Sequence, residues 1–88
     1  GENLSLTTIA DELNMSHYYF CRLFKRSTGM TAHQYLIQQR IERAKRLLKQ
    51  PELTITEIAL ECGFTHPSHL AKYFRRHTGL TPTQFRQL

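Results

Sequence analysis

Acidic residues are scarce in this 88-residue sequence, and tryptophan is absent. Seven aspartates and glutamates stand against 12 lysines and arginines, which gives a formal net charge of +5 and a pI near 9.6. A surplus of positive charge favours a polyanionic partner, although many structural domains are also basic. The composition therefore permits nucleic-acid binding without establishing it.

Cysteine is also rare. Cys21 and Cys62 are far apart and form no C-x-x-C motif, so neither a disulfide framework nor a zinc finger is indicated. His17, His66 and His69 could join these thiols around a metal ion, but their spacing favours core thiols and surface imidazoles. We expect no metal and no cofactor, and a reducing cytoplasm suits such a chain.

Long apolar runs are missing. Hydrophobic residues make up 40% of the sequence, yet no run approaches the roughly 20 residues that span a bilayer. No charged segment followed by an apolar stretch marks a signal peptide. We therefore expect no membrane partner.

Catalytic motifs are missing as well. The sequence contains no glycine-rich phosphate loop, no serine-nucleophile motif and no carboxylate pair held in an evident frame. A chain of this size buries only a modest core, which leaves little room for an enclosed active site. We expect that the chain is not an enzyme.

The sequence does contain an internal repeat. Two blocks recur in the same order, the second block displaced by one additional residue, which must lie between Phe64 and Leu70. The recurring pairs are Thr7 and Thr56, Ile9 and Ile58, Ala10 and Ala59, Glu12 and Glu61, Phe24 and Phe74, Arg26 and Arg76, Thr28 and Thr78, Gly29 and Gly79, Thr31 and Thr81, and Gln34 and Gln84.

Each copy begins with a predicted helix. Ser5 is the expected cap in the first copy, and Thr54 with Glu57 fits a T-x-x-E capping box in the second. Asn14 and Gly63, residue types that tolerate the left-handed conformation, should end these helices.

A second helix follows each turn. Ser16 is the expected cap in the first copy; Thr65 or His66 is the cap in the second, with Pro67 at the first helical position. The glycines expected to end these helices are Gly29 and Gly79.

A long helix should connect the copies. Ile37, Ile41, Ala44 and Leu48 repeat at helical spacing, and the helix breaks before Pro51. About 20 residues at 1.5 Å each span roughly 30 Å, close to the 34–36 Å pitch of B-DNA.

These predictions combine into an all-α fold of two tandem helix-turn-helix subdomains joined by a long central linker helix, with homeodomain-like three-helix lobes. The predicted parts are a first lobe 1–31 with helices at about 6–13 and 17–28, the linker helix 32–49, and a second lobe 50–88 with helices at about 55–62, 67–78 and 82–88.

Apolar residues at helical spacing predict the core. The predicted buried positions are Ile9, Ala10 and Leu13 with their counterparts Ile58, Ala59 and Cys62, then Phe20, Leu23 and Phe24 with Leu70, Tyr73 and Phe74. The opposite faces of the second helices hold no acidic residue. Acidic residues lie in the preceding helices instead, at Asp11, Glu12, Glu57 and Glu61.

A B-DNA major groove admits one α-helix, whose first residues reach base edges while later basic residues meet phosphates. The base-reading candidates are His17, Tyr18, Cys21, Arg22, Pro67, Ser68, His69 and Lys72. The phosphate-binding candidates are Ser16, Lys25, Arg26, His66, Arg75 and Arg76. A single basic helix face is as often a solvated surface, but two matching faces in repeated frames favour binding of double-stranded DNA.

The linker helix also carries positive charge, at Arg40, Arg43, Lys45, Arg46 and Lys49. For most of these residues a solvated helix surface is the preferred interpretation.

Three segments of the sequence resemble the DNA-binding domain of the AraC/XylS family of bacterial regulators. They are SLTTIADELNMSHYYFCRLFKRSTGMTAHQYL, RIERAKRLL and ITEIALECGFTHPSHLAKYFRRHTGLTPTQFR, which together cover nearly the whole chain. The resemblance implies two helix-turn-helix lobes on a linker helix, monomeric binding to adjacent major grooves, DNA bending, and activation through contact with RNA polymerase in the cytoplasm at the nucleoid. It also implies an effector or dimerisation domain outside this chain, which is then an excised domain or a small stand-alone regulator.

Three positions depart from the family pattern. Family domains usually have a helix before the position of Ser5, so we expect the first lobe to be incompletely covered. Ala32 stands where the second copy has Pro82, a change that a helix tolerates. Cys21 is a short side chain at a base-facing place, so the first copy should read fewer bases.

Two other functions remain as alternatives. A helical protein-interaction module would not explain two basic helix faces without acids, and it predicts little salt dependence of DNA affinity. RNA binding is disfavoured because the deep, narrow A-form major groove excludes such helices.

Overall fold

A computed structural model of the chain describes residues 16–88, and within this range all regular structure is helical. The helices are α1 (His17–Thr28), α2 (Ala32–Leu48), α3 (Ile55–Glu61), α4 (Pro67–Thr78) and α5 (Pro82–Arg86). The predicted all-α class is confirmed. The helix predicted at about 6–13, its cap Ser5, its end at Asn14 and its core positions lie outside the described residues. No helix within residues 16–88 combines the length and apolar character that a membrane span requires.

The described residues fall into two compact units, 16–37 and 38–88, so the boundary between them lies inside α2. The first unit contains α1 and the start of α2. The second unit contains the rest of α2 and the three later helices. The three-part division at 1–31, 32–49 and 50–88 stays a prediction.

Helix α1 begins and ends where its sequence predicts. The Ser16 Oγ accepts a hydrogen bond from the backbone N–H of Tyr19 at 3.1 Å, which satisfies a donor that the helix leaves free. Gly29 ends the helix in the left-handed conformation, and its N–H donates to the carbonyl oxygen of Lys25 at 2.8 Å. The caps predicted at Ser16 and Gly29 are confirmed.

Helix α2 contributes the buried stripe that its periodicity predicts. Ile37, Ile41, Ala44 and Leu48 are all buried, the first in the first unit and the other three in the second. The neighbouring Leu47 is only half-buried. The stripe at four-, three- and four-residue steps is therefore confirmed.

Helix α3 and its C-terminal cap residue, Cys62, contribute to the core of the second unit. Ile58, Ala59 and Cys62 are fully buried, as predicted. Burial raises the pKa of the Cys62 thiol, and the opposing effect of the Arg43 charge does not cancel it. The thiol is thus protonated at neutral pH and packs as a small apolar group.

The cap of α3 is only half of the predicted capping box. The Thr54 Oγ1 accepts from the backbone N–H of Glu57 at 3.1 Å, as expected. The Glu57 carboxylate accepts from the Thr54 hydroxyl at 3.1 Å instead of from the Thr54 backbone N–H. A hydroxyl can accept one hydrogen bond and donate another at the same time. The Thr54 hydroxyl therefore accepts from the Glu57 N–H and donates to the Glu57 carboxylate.

Helix α4 begins without a side-chain cap. His66, one of the two residues predicted for the cap, occupies the cap position, but its side chain accepts no backbone N–H there. The N–H of His69, the third helical residue, donates instead to the backbone carbonyl oxygen of His66 at 3.0 Å, and Pro67 at the first position has no N–H. At the other end Gly79 is left-handed, with φ of +80°, as predicted.

Replacing Gly79 with alanine should lower the free energy of unfolding by about 1–2 kcal/mol, the cost of holding an L-residue in the left-handed region. A Cβ at this position would meet no atom within 4 Å, so the cost is one of backbone conformation alone. Gly79→Asn should lose less, because asparagine tolerates this conformation. Denaturant unfolding measures both variants, and an alanine variant as stable as the parent would contradict the expectation.

Helix α5 closes the second unit. Thr81 and Gln84 form a complete capping box, and the Phe85 ring meets the Phe74 ring edge to face at 5.3 Å. Arg86 donates to the carbonyl oxygens of Leu48 at 3.0 Å and Gln50 at 3.3 Å. The Leu48 carbonyl lies at the end of α2, where a helix has acceptors without intrahelical partners, and the Gln50 carbonyl follows two residues later. Arg86 therefore ties α5 to that end of α2.

One predicted core residue is exposed. Leu23 keeps 39% of its surface accessible, whereas its neighbours on the stripe, Phe20 and Phe24, are buried and half-buried. In the second unit the equivalent residue is Tyr73, whose ring stacks on Phe64 at 6.1 Å. Tyr73 is half-buried because Phe64 covers it.

Candidate nucleic-acid interface

The outward face of α1 is set by the packing of its inward face. Phe20 is buried against Ala32, and the Phe24 ring packs on Tyr35 at 5.4 Å. These contacts fix which side of α1 faces solvent. The exposed cations of the helix are Arg22, Lys25 and Arg26, and the helix contains no acidic residue.

Tyr18 and Arg22 form a pair on this face. Tyr18 is 71% exposed, and the Arg22 guanidinium carbon lies 5.7 Å from the centroid of its ring. A cation over an exposed aromatic ring gains about 0.5–1 kcal/mol. The pair therefore holds an arginine fork on the solvent-facing side of α1, in the second turn of the helix. The expectation that Tyr18 or Tyr19 is exposed is confirmed, since both are.

Cys21 lies at the margin of this face. It is half-buried and packs against the Phe20 and Ala32 cluster. A shallow groove beside it is lined by Tyr18, Cys21, Arg22, Lys25, Thr31, Ala32 and His33. His33, exposed in the second position of α2, was not singled out by the sequence pattern, which placed recognition on the preceding helix alone.

The outward face of α4 repeats this arrangement. Leu70 and Phe74 are fully buried, which turns the opposite side of the helix to solvent. The exposed polar residues of that side are Ser68, His69, Lys72, Arg75 and Arg76, again without an acidic residue. Two helices at equivalent places in the repeat thus each present three exposed cations.

The start of α4 carries two imidazoles. The His66 and His69 rings meet edge to face at 5.5 Å, and His69 Nδ1 is 3.4 Å from the Thr65 hydroxyl. Thr65 therefore orients a base-reading candidate, a role that the sequence pattern did not indicate. Within the described part of the chain, no three histidine, cysteine, aspartate or glutamate side chains are grouped as metal ligands.

Tyr73 is a further part of the surface that sequence reasoning missed, because it was assigned only to the core. The Lys72 ammonium nitrogen lies 5.5 Å from the centroid of its ring, and the Arg76 guanidinium carbon lies 5.6 Å away. Both cations are thereby packed on one ring.

Three cations of α2 have partners within the second unit. Arg43 pairs with Glu61 at 3.4 Å, and Lys45 pairs with Glu42 at 3.0 Å. The Arg40 guanidinium lies 5.8 Å from the Phe64 ring. Exposed ion pairs of this kind add about 0–1 kcal/mol, so they hold side chains in place more than they stabilise the fold.

The remaining candidates are placed as follows. His17 is the first residue of α1, and its side chain lies outside the description. Ser16 is exposed but its hydroxyl is engaged in the helix cap. Pro67 is half-buried at the start of α4, and His66 is exposed. The assignment of all these residues to bases or phosphates stays a prediction.

Comparison with known proteins gives three related results. A family model described as a helix-turn-helix domain matches residues 9–88. The transcriptional activator RhaR of Escherichia coli (strain K12) is 39% identical over 84 residues, which are 96% of this chain and 30% of RhaR. The chain spans about a third of the length of the curated relatives it matches.

Solved structures are similar in fold and in sequence. The DNA-binding domain of AdpA, a global transcriptional factor crystallised with a target DNA, superposes with a TM-score of 0.86 at 37% identity, covering 98% of this chain and 78% of that one. The C-terminal domain of the response regulator YesN from Fusobacterium nucleatum gives a TM-score of 0.85 at 34% identity, covering 94% of this chain and 81% of that one. The chain therefore belongs to the helix-turn-helix domain family, as a member of its AraC/XylS type.

Proposed function

We propose that this chain is the DNA-reading part of a bacterial transcription regulator, and that it binds double-stranded DNA sequence-specifically with two helix-turn-helix units in adjacent major grooves. The observation that carries the proposal is the pair of acid-free helix faces, one on α1 and one on α4, each with three exposed cations. The printed description of the AdpA domain, bound to a target DNA, supports it.

The cations of the two faces divide into those that contact base edges and those that contact phosphates. An arginine or lysine near the start of a recognition helix donates to guanine O6 and N7, which discriminates between bases by about 1–3 kcal/mol. Arg22 and Lys72 are the side chains we assign to this role. Cations later in the helices contact phosphates, which position the protein without reading sequence. Lys25, Arg26, Arg75 and Arg76 suit that role because they are exposed near the helix ends.

The relatives support proposals on how the regulator acts and on the longer protein to which this chain belongs. RhaR is described as an activator, so we propose activation through contact with RNA polymerase. Because the chain covers about a third of such relatives, we propose that an effector or dimerisation domain lies outside it and that the fragment itself is monomeric. Such a regulator acts in the cytoplasm at the nucleoid. The named relatives are regulators and not enzymes, which supports a role in binding alone.

Selection of bound duplexes from a random DNA library tests the proposal. We expect enrichment of a site with two short boxes about one helical turn apart, one for each unit. A single enriched box would mean that one unit alone reads sequence. A library that stays random after repeated rounds would contradict sequence-specific binding and favour a protein-interaction module.

A further inference from the structure

We propose that Tyr73 is a positioning residue that holds Lys72 and Arg76 in their DNA-binding orientation, and this inference rests on the proposed function. The geometry behind it is the packing of both cations on one ring, at 5.5 and 5.6 Å from its centroid. One of these cations is assigned to a base and the other to a phosphate. A single aromatic side chain thus supports one base contact and one phosphate contact.

The ring itself is held from behind. Phe64 is buried in the turn between α3 and α4, and its ring stacks on Tyr73 at 6.1 Å with an interplanar angle of 23°. The Arg40 guanidinium, from α2, lies over the same Phe64 ring. Tyr73 is therefore half-buried on a fixed support, and the two cations it carries are exposed.

This arrangement lowers the cost of binding. A free lysine or arginine samples many rotamers, and ordering it against DNA opposes association. Contact with a fixed ring restricts these rotamers before DNA arrives. The first unit has a parallel contact with a different ring, since Arg22, at the position equivalent to Lys72, lies over Tyr18.

A double-mutant cycle tests the role of Tyr73. Tyr73→Leu keeps an apolar side chain on Phe64 but removes the aromatic face, and Tyr73→Phe keeps the face and removes only the hydroxyl. We expect Tyr73→Leu to weaken binding of the selected duplex by at least about fivefold, because two long side chains would then be ordered only on binding. Tyr73→Phe should bind within about twofold of the parent.

The decisive arm of the cycle combines Tyr73→Leu with Lys72→Ala and Arg76→Ala. If Tyr73 acts through the two cations, leucine costs nothing further in that background. If Tyr73→Leu loses as much affinity in the Lys72→Ala, Arg76→Ala background as in the parent, the positioning role is overturned, because the effect then does not depend on the cations. A loss of affinity for Tyr73→Phe equal to that for Tyr73→Leu would also overturn it, because phenylalanine keeps the aromatic face.

Two further measurements keep the outcomes separate. All affinities are measured well below the melting temperature of each variant, and Tyr73→Met replaces leucine if leucine lowers that temperature into the binding range. A parent protein without salt-dependent duplex binding would contradict the proposed function itself. A parent that binds normally, with an additive cycle, would contradict only the role of Tyr73.

Discussion

Replacing Ile41 with aspartate is expected to unfold the second unit or to lower its free energy of unfolding by at least about 4 kcal/mol. Ile41 is 1% exposed on the buried stripe of α2. The substitution removes a large apolar side chain and places a carboxylate where it has no solvent and no partner. Because small domains are stable by about 5–15 kcal/mol, a loss of about 4 kcal/mol removes from about a quarter to most of the free energy of unfolding.

Gln39→Asp is the matched control, since Gln39 is exposed on the same helix and the charge change is equal. It should cost well under 1 kcal/mol. Leu47→Asp should fall between the two, because Leu47 is only half-buried. Thermal melting followed by circular dichroism measures all three. An Ile41→Asp protein that melts like the Gln39→Asp control would contradict the buried stripe.

Arg22→Ala and Lys72→Ala are each expected to weaken binding of the selected duplex by about 5–150-fold, equivalent to about 1–3 kcal/mol, and to weaken binding of random duplex much less. Both side chains lie exposed in the second turn of a proposed recognition helix, and each is packed on a tyrosine ring. A side chain that reads a base contributes little where the right base is absent. The ratio of target to random affinity should therefore fall with each variant.

Lys25→Ala and Arg75→Ala are the matched controls. If Lys25 and Arg75 contact phosphates, each variant should lose affinity equally for both duplexes. Each should also make the negative slope of log affinity against log salt shallower by about 0.9. Fluorescence anisotropy with both duplexes gives all these numbers. Equal losses on target and random DNA for Arg22→Ala and Lys72→Ala would reassign these residues to phosphates.

The helical framework was predictable because its signals are local. The buried stripe of α2 follows from side chains spaced by a helical turn, and Gly29 and Gly79 mark helix ends through their left-handed conformation. Ser16 was predictable for the same reason, since its hydroxyl bonds only three residues away.

The predictions fail where the burial of a side chain depends on a neighbour outside its own helix, or where another local hydrogen bond replaces the expected one. Leu23 and Tyr73 occupy equivalent positions, and Tyr73 is half-buried because the Phe64 ring from the preceding turn stacks on it. Neither periodicity nor propensity reveals that contact. The Glu57 carboxylate accepts from the Thr54 hydroxyl and not from the Thr54 backbone N–H, and the T-x-x-E motif does not specify which of these two donors it will meet.

The candidate interface was predictable as two faces but not in its details. The absence of acids from α1 and α4 can be read directly from the sequence, and the buried Leu70 and Phe74 confirm which side of α4 faces inward. The packing of cations on Tyr18 and Tyr73 depends on rotamers that the sequence does not specify. Which bases these side chains read stays a prediction.

The most direct test of the central claim, that α1 and α4 bind duplex DNA, is the affinity of the parent protein for the selected and a scrambled duplex between about 50 and 200 mM salt. Four phosphate-binding cations, each contributing about −0.9, predict a slope of about −3.6 or steeper in log affinity against log salt. The selected duplex should bind more tightly than the scrambled one at every salt concentration. A slope near zero, or equal affinity for the two duplexes throughout, would contradict the account.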